Sequence, residues 1–220
     1  MESIKDKLQS PAFLMFVLYF LTAISLVLFF EKGTFILWLN QKHNPFGDSF
    51  FSFITLVGEW HIFVVVGIIL LMYRFYYAIL LTLTGLIHFL IIQFLKIVVF
   101  KAPRPADYYA DKLSSFNLVE GVDLKSLYAM PSGHTASAFA LATILILITK
   151  NKLLQVIYML IAILVAVSRV YLFQHFMVDT LVGASIGLLV SAIIWWYLSF
   201  KNKSLLYNNN RLHRGLIFNK

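Results

Sequence analysis

The sequence predicts an all-α integral membrane protein with six transmembrane helices, and three observations carry that prediction. Hydrophobic residues make up 60% of the 220 and charged residues 13%, where soluble domains average about 45–50% and about 25%. Mean hydropathy is +0.83. The apolar residues gather in runs matching the ~20 residues that a spanning helix needs. A single soluble core of this size cannot hide so much apolar surface, so most of it faces lipid. The same figures exclude intrinsic disorder, a collagen-like repeat and a coiled coil.

The first run, 12–30, is interrupted only by Thr22 and Ser25. It exceeds the ~7–15 apolar residues of a cleaved signal peptide, and no small-residue cleavage site follows, so a retained span is expected. Residues 31–60 mix charges with Pro45, Gly47 and several Phe and Trp. Within them, 49–56 is predicted as a short helix at the membrane interface, its rings at headgroup level. The next apolar stretch, 62–100, is too long for one span. Its break is Tyr73-Arg74-Phe75-Tyr76-Tyr77, a cation within an aromatic belt, which gives spans at 60–73 and 76–100. A polar loop, 101–131, carries Pro103 and Pro105. Spans at 132–149, 153–172 and 176–199 follow, with Lys150 and Lys152 in the turn between the first two. One domain, 1–220, is expected, without internal repeats. Gly183 and Gly187, four residues apart, are read as a close helix-packing pair.

Six spans place both termini on one side. That side holds Lys5, Lys7, Arg74, Lys150, Lys152, Lys201, Lys203, Arg211, Arg214 and Lys220, opposed only by Glu2 and Asp6. The other side holds eight cations and eight acids. The positive-inside rule therefore puts the termini in the cytoplasm, and loop 101–131 in the periplasm or exterior. The net charge of +8 fits cytoplasmic loops over anionic lipid, and no nucleic-acid partner is expected. Without cysteine there is no disulfide, thiolate metal site or cysteine nucleophile.

Ionisable groups within or beside spans are costly and mark candidate sites. Lys96 and Arg104-Pro105 close the third span. Pro131-Ser132-Gly133-His134 opens the fourth. Ser168-Arg169 closes the fifth, and His175 and Asp179 open the sixth. All fall on the non-cytoplasmic side. Lys and Arg suit phosphate, Arg as a planar fork. A helix N-terminus adds free N–H groups, and Gly133 lets backbone approach closely. His175 and Asp179, four apart, share a helical face, where the carboxylate fixes the imidazole tautomer. His134 is placed as general acid. Together they read as a phosphoryl-transfer site with a histidine nucleophile.

These motifs resemble the type 2 phosphatidic acid phosphatase (PAP2) superfamily, which shares its site with vanadium haloperoxidases and bacterial class A acid phosphatases. The family pattern is Lys-x6-Arg-Pro, then Pro-Ser-Gly-His, then Ser-Arg-x5-His-x3-Asp. The second motif stands intact at 131–134 and the third at 168–179. In the first, seven residues separate Lys96 from Arg104 instead of six. One extra residue swings Lys96 by ~100° around its helix. With Pro103 as a breaker, the surplus is expected to be absorbed in 100–103, and Lys101 is the alternative lysine.

The resemblance implies a PAP2/haloperoxidase-like helical core and a lipid phosphatase needing neither metal nor cofactor. It implies a phosphohistidine on His175, oriented by Asp179, with His134 protonating the leaving alcohol. Lys96, Arg104, Ser132, Gly133 and Arg169 would hold the phosphate oxygens. The implied substrate is a lipid phosphomonoester or pyrophosphate such as phosphatidic acid, phosphatidylglycerol phosphate, undecaprenyl pyrophosphate or phosphorylated lipid A. The implied location is the bacterial inner membrane. Two other readings stay open: a lipid phosphotransferase using the same intermediate, and a non-catalytic binder of anionic lipid. Lys96 also reads as a snorkelling lysine, and His88 as a packing histidine. His43, His61 and His213 show no partner pattern. Asp107, Asp111, Glu120 and Asp123 fit no calcium loop. The sequence carries no signal of oligomeric state.

Overall fold

A computed structural model describes residues 9–201, 212 and 214–216. The described residues are helical, without strands. Helix α1 (Pro11–Phe29) starts at Ser10, whose hydroxyl accepts from the Phe13 N–H at 3.2 Å, with proline as first helical residue. That pairing satisfies one of the free donors at a helix start. Helices α2 (Thr34–Asn40) and α3 (Pro45–Ile54) follow. A 3₁₀ turn (Thr55–Gly58) then leads into α4 (Trp60–Tyr73). Helix α5 (Phe75–Phe94) runs on into a π-helical turn (Leu95–Phe100). The following loop contains the short α6 (Pro105–Tyr108) and a 3₁₀ turn (Ala110–Ser115). Helices α7 (Gly133–Ile148), α8 (Lys152–Tyr171) and α9 (Met177–Trp196) complete the fold.

The six long helices α1, α4, α5, α7, α8 and α9 lie where the apolar runs placed them. Helices α1, α5, α8 and α9 are long and apolar enough to cross a bilayer alone, and α4 joins them when counted with the segment before it, from which it bends by 57°. Helix α7 is shorter, 16 residues, or ~24 Å at 1.5 Å per residue. It forms the centre: Ala136, Phe139, Ala140 and Ile144 are fully buried, and α5, α8 and α9 pack around it. The outer faces instead expose Leu18, Leu21, Ile68, Leu90, Leu160 and Ile193. Apolar outside and small or polar inside is the pattern of a helix bundle in lipid.

Gly183 and Gly187 bring α9 against α7. A Cβ on Gly183 would stand 2.5 Å from the Ser132 carbonyl oxygen, and one on Gly187 2.3 Å from that of Ala136. The helices therefore touch backbone to backbone beside the Pro-Ser-Gly-His turn.

Between 31 and 60 the structure departs from expectation. The predicted helix at 49–56 starts earlier, at Pro45, because the Asn44 side chain accepts from the Gly47 N–H at 2.9 Å. It also ends earlier, at Ile54, where the chain tightens into the 3₁₀ turn. Helix α2, with Ile36 and Leu39 buried against Tyr171, Phe173 and Phe176, has no counterpart in the sequence reading. Lys5, Lys7, Lys203, Arg211, His213 and Lys220 lie outside the described residues.

Candidate active site

The three motifs converge at one end of the bundle. The Ser132 backbone N–H donates to the Asp179 carbonyl at 2.9 Å, tying the start of α7 to the first turn of α9. Ser132 caps α7: its Oγ accepts from the Thr135 hydroxyl at 2.9 Å and from the Thr135 N–H at 3.4 Å. Gly133 and His134 are the first residues of that helix, so its free N–H groups point toward the site.

The turn between α8 and α9 presents His175. Its backbone N–H donates to the Arg169 carbonyl at 3.1 Å, which doubles the chain back over the helix end. Asp179 Oδ2 accepts from the Phe176 N–H at 2.9 Å and lies 3.3 Å from His175 Nδ1. With the carboxylate ionised, Nδ1 carries the proton and Nε2 keeps its lone pair. His175 is 1% exposed. Burial first, then the charges of Arg104, Arg169, Lys96 and His134, hold its pKa well below the usual histidine range. The imidazole is therefore neutral, with the Nε2 lone pair free.

Arg104 and Arg169 are both buried. Arg104 is fixed by Nε donating to the Leu127 carbonyl at 3.0 Å and Nη1 donating to Gln174 Oε1 at 3.1 Å. Arg169 Nη1 donates to Thr55 Oγ1 at 2.7 Å. Its buried Nε has no protein acceptor among the described residues. A buried guanidinium N–H without an acceptor is costly, and an anion beside it removes that cost.

Lys96 joins the cluster: its Nζ lies 3.9 Å from where a Cβ on Gly133 would stand, and Arg104, Arg169, Lys125 and Asp179 are its charged neighbours. The surplus residue of the first motif is absorbed by the π turn over Leu95–Phe100, closed by Lys101 N–H donating to the Lys96 carbonyl at 3.2 Å. An i→i+5 turn holds one residue more than an α turn. This corrects the expectation that 100–103 takes it up. Lys101, the alternative lysine, is exposed and ends the turn in a left-handed conformation, φ 44°.

Thr55, Glu59, Lys125 and Gln174 also belong to the site, though no motif names them. With His134 and Arg169 they line a cavity of about 430 Å³. The segment before α4 braces it as well. Tyr171 at the end of α8 donates its hydroxyl to Asp48 at 2.7 Å, and His43 stacks on the same ring at 4.1 Å. Their signal in sequence was weak: Glu59 is a lone carboxylate at the mouth of an apolar run. His88 hydrogen-bonds the Thr84 carbonyl at 2.9 Å and Ser137 Oγ at 3.1 Å, joining α5 to α7. No group of three or more His, Cys, Asp or Glu suited to a metal occurs among the described residues.

A bundle that gathers buried cations around a carboxylate-oriented histidine defines a class of membrane phosphoryl-transfer protein. The profile of the PAP2 superfamily matches residues 74–203, and the chain belongs to that superfamily, as a phosphoric ester hydrolase. It is 28% identical over 173 residues to lipid A 4'-phosphatase of Porphyromonas gingivalis, covering 75% of this chain and 71% of that protein. It is 35% identical over 79 residues to phosphatidylglycerophosphatase B of Bacillus subtilis, a match spanning 32% of this chain and only 39% of that relative. Among solved structures, Aquifex aeolicus LpxE aligns with TM-score 0.66 at 29% identity, over 76% of this chain and 95% of that one. The Bacillus subtilis PAP2-type phosphatidylglycerolphosphate phosphatase aligns with TM-score 0.61 at 22% identity, over 88% and 96%, and shares the fold.

Proposed function

We propose that this protein is a metal-independent lipid phosphatase, removing phosphate from a lipid phosphomonoester or pyrophosphate on the non-cytoplasmic leaflet of a bacterial inner membrane. The observation that carries the reading is the buried His175–Asp179 pair at the focus of Arg104, Arg169 and Lys96. His175 Nε2 attacks phosphorus while the bond from phosphorus to the leaving oxygen breaks. His134 gives that oxygen a proton. Lys96, Arg104, Arg169 and the Ser132–Gly133 turn hold the three phosphoryl oxygens as charge spreads over them. Neutral His134 then takes a proton from water, which attacks phosphorus, breaks the bond to Nε2 and releases phosphate.

A lipid substrate is supported by an apolar groove of about 560 Å³ between α4 and α5, lined by Trp60, Phe63, Ile68, Leu71, Leu86 and Phe89. Trp60 adjoins Glu59 of the catalytic cavity, so a tail in the groove leaves its headgroup near the histidines. The relatives named above act on lipid A and phosphatidylglycerophosphate; those lipids, phosphatidic acid and undecaprenyl pyrophosphate form the test panel. The test is acid quench of the purified protein with each ³²P-labelled lipid. Label on His175 supports the reading, and label absent from a protein that releases phosphate contradicts the covalent step. Orientation is tested in this cysteine-free chain by Lys112→Cys. Labelling from outside intact cells by an impermeant reagent is expected; labelling only after lysis contradicts the leaflet assignment.

A further inference from the structure

We infer that Glu59 is a positioning residue whose carboxylate favours the protonated form of His134 in the leaving-group step, an inference that rests on the phosphatase reading above. Glu59 occupies the N-cap position of α4, yet its side chain makes no capping hydrogen bond. The carboxylate turns to two histidines instead. Oε2 lies 3.1 Å from His61 Nδ1, and Oε1 lies 4.0 Å from His134 Nε2. The backbone beneath it is fixed: a Cβ on the preceding Gly58 would stand 2.7 Å from the His134 carbonyl oxygen. Residue 58 therefore seats the 3₁₀ turn directly on the first turn of α7.

The electrostatic need is specific. His134 shares its surroundings with Arg169, Lys96, Arg104 and Lys125. Those cations suit a phosphate but oppose a second positive charge on the imidazole. A general acid must hold its proton until the leaving oxygen takes it, and an opposite charge within ~4–6 Å favours that form. Glu59 supplies the charge, and His61 holds the carboxylate in place. Because His134 recovers its proton from the attacking water, Glu59 transfers none.

The test compares wild type, Glu59→Gln and Glu59→Asp on dioleoyl phosphatidic acid and on p-nitrophenyl phosphate, across pH, with His175→Ala as the inactive reference. An alkoxide needs the proton to leave and nitrophenolate does not. Glu59→Gln is expected to lower kcat/KM on phosphatidic acid ~10- to 100-fold, and to lower kcat/KM on the aryl ester by less than about threefold. The ratio kcat/KM covers the steps through leaving-group departure and not hydrolysis of the phosphohistidine. The deficit narrows as pH falls, because solvent then protonates His134, and Glu59→Asp restores part of the rate. An equal fall on both esters, no fall on either, or a deficit independent of pH overturns the role of Glu59. Wild type no more active than His175→Ala overturns the phosphatase reading itself.

Discussion

Replacing Arg169 by lysine keeps the charge and removes the fork. In the structure Nη1 is committed to Thr55 at 2.7 Å, while Nε is buried without a protein acceptor among the described residues. A phosphate oxygen accepting from Nε converts a costly orphan into a charge-assisted bond worth ~1.5–3 kcal/mol. Lysine offers a point charge on a flexible stem and cannot serve Thr55 and the ligand in one plane. The expected loss of affinity for a phosphate mimic is thus roughly 10- to 150-fold. The assay is inhibition of lipid phosphate hydrolysis by orthovanadate, with thermal melting of both proteins without ligand. Because Nε makes no bond in the free protein and a lysine can donate to Thr55 in place of Nη1, the variant should melt close to wild type. An unchanged inhibition constant, or a large drop in melting temperature without ligand, would refute the reasoning.

Three further outcomes follow from the same geometry. Asp179→Asn removes the charge that fixes the His175 tautomer and should lower kcat ~10²–10⁴-fold; a loss below about tenfold in steady-state kinetics would deny Asp179 that role. Gly187→Ala pushes a Cβ to 2.3 Å from the Ala136 carbonyl and should cost about 1–3 kcal/mol, read as a lower melting temperature, whereas an unchanged one would mean that α7 and α9 can separate freely. The depressed pKa of His175 keeps its imidazole unprotonated as pH falls through the ordinary histidine range, so kcat on an aryl phosphate should persist there if this imidazole attacks phosphorus. The unfolded chain takes up that proton and the folded chain does not, so this residue's contribution to stability is full above that range and is lost progressively below it. An acid limb of kcat at about pH 6.5 would contradict the assignment.

Much of this molecule was legible in the sequence, for definite reasons. The six helices follow from the lengths of apolar runs, and the Arg74 break between α4 and α5 falls where a cation interrupts them. His134, Arg169, His175 and Asp179 were legible because each sits at a helix end in a motif of fixed spacing. Helix α2 was not, being seven residues long and stabilised by burial against the turn before α9. Thr55, Glu59 and Gln174 reach the site through tertiary packing, which leaves no local period to read. The additional residue between Lys96 and Arg104 was visible, but its remedy was not. A π turn is set by backbone pairing, and spacing alone shows only that something must yield.

The central claim is that His175 performs phosphoryl transfer without a metal. Its most direct test is phosphate release from a lipid phosphomonoester by detergent-purified protein in excess EDTA, wild type beside His175→Ala. The account predicts release that EDTA leaves intact and the substitution abolishes. Release that EDTA abolishes, or that His175→Ala retains in full, would contradict it.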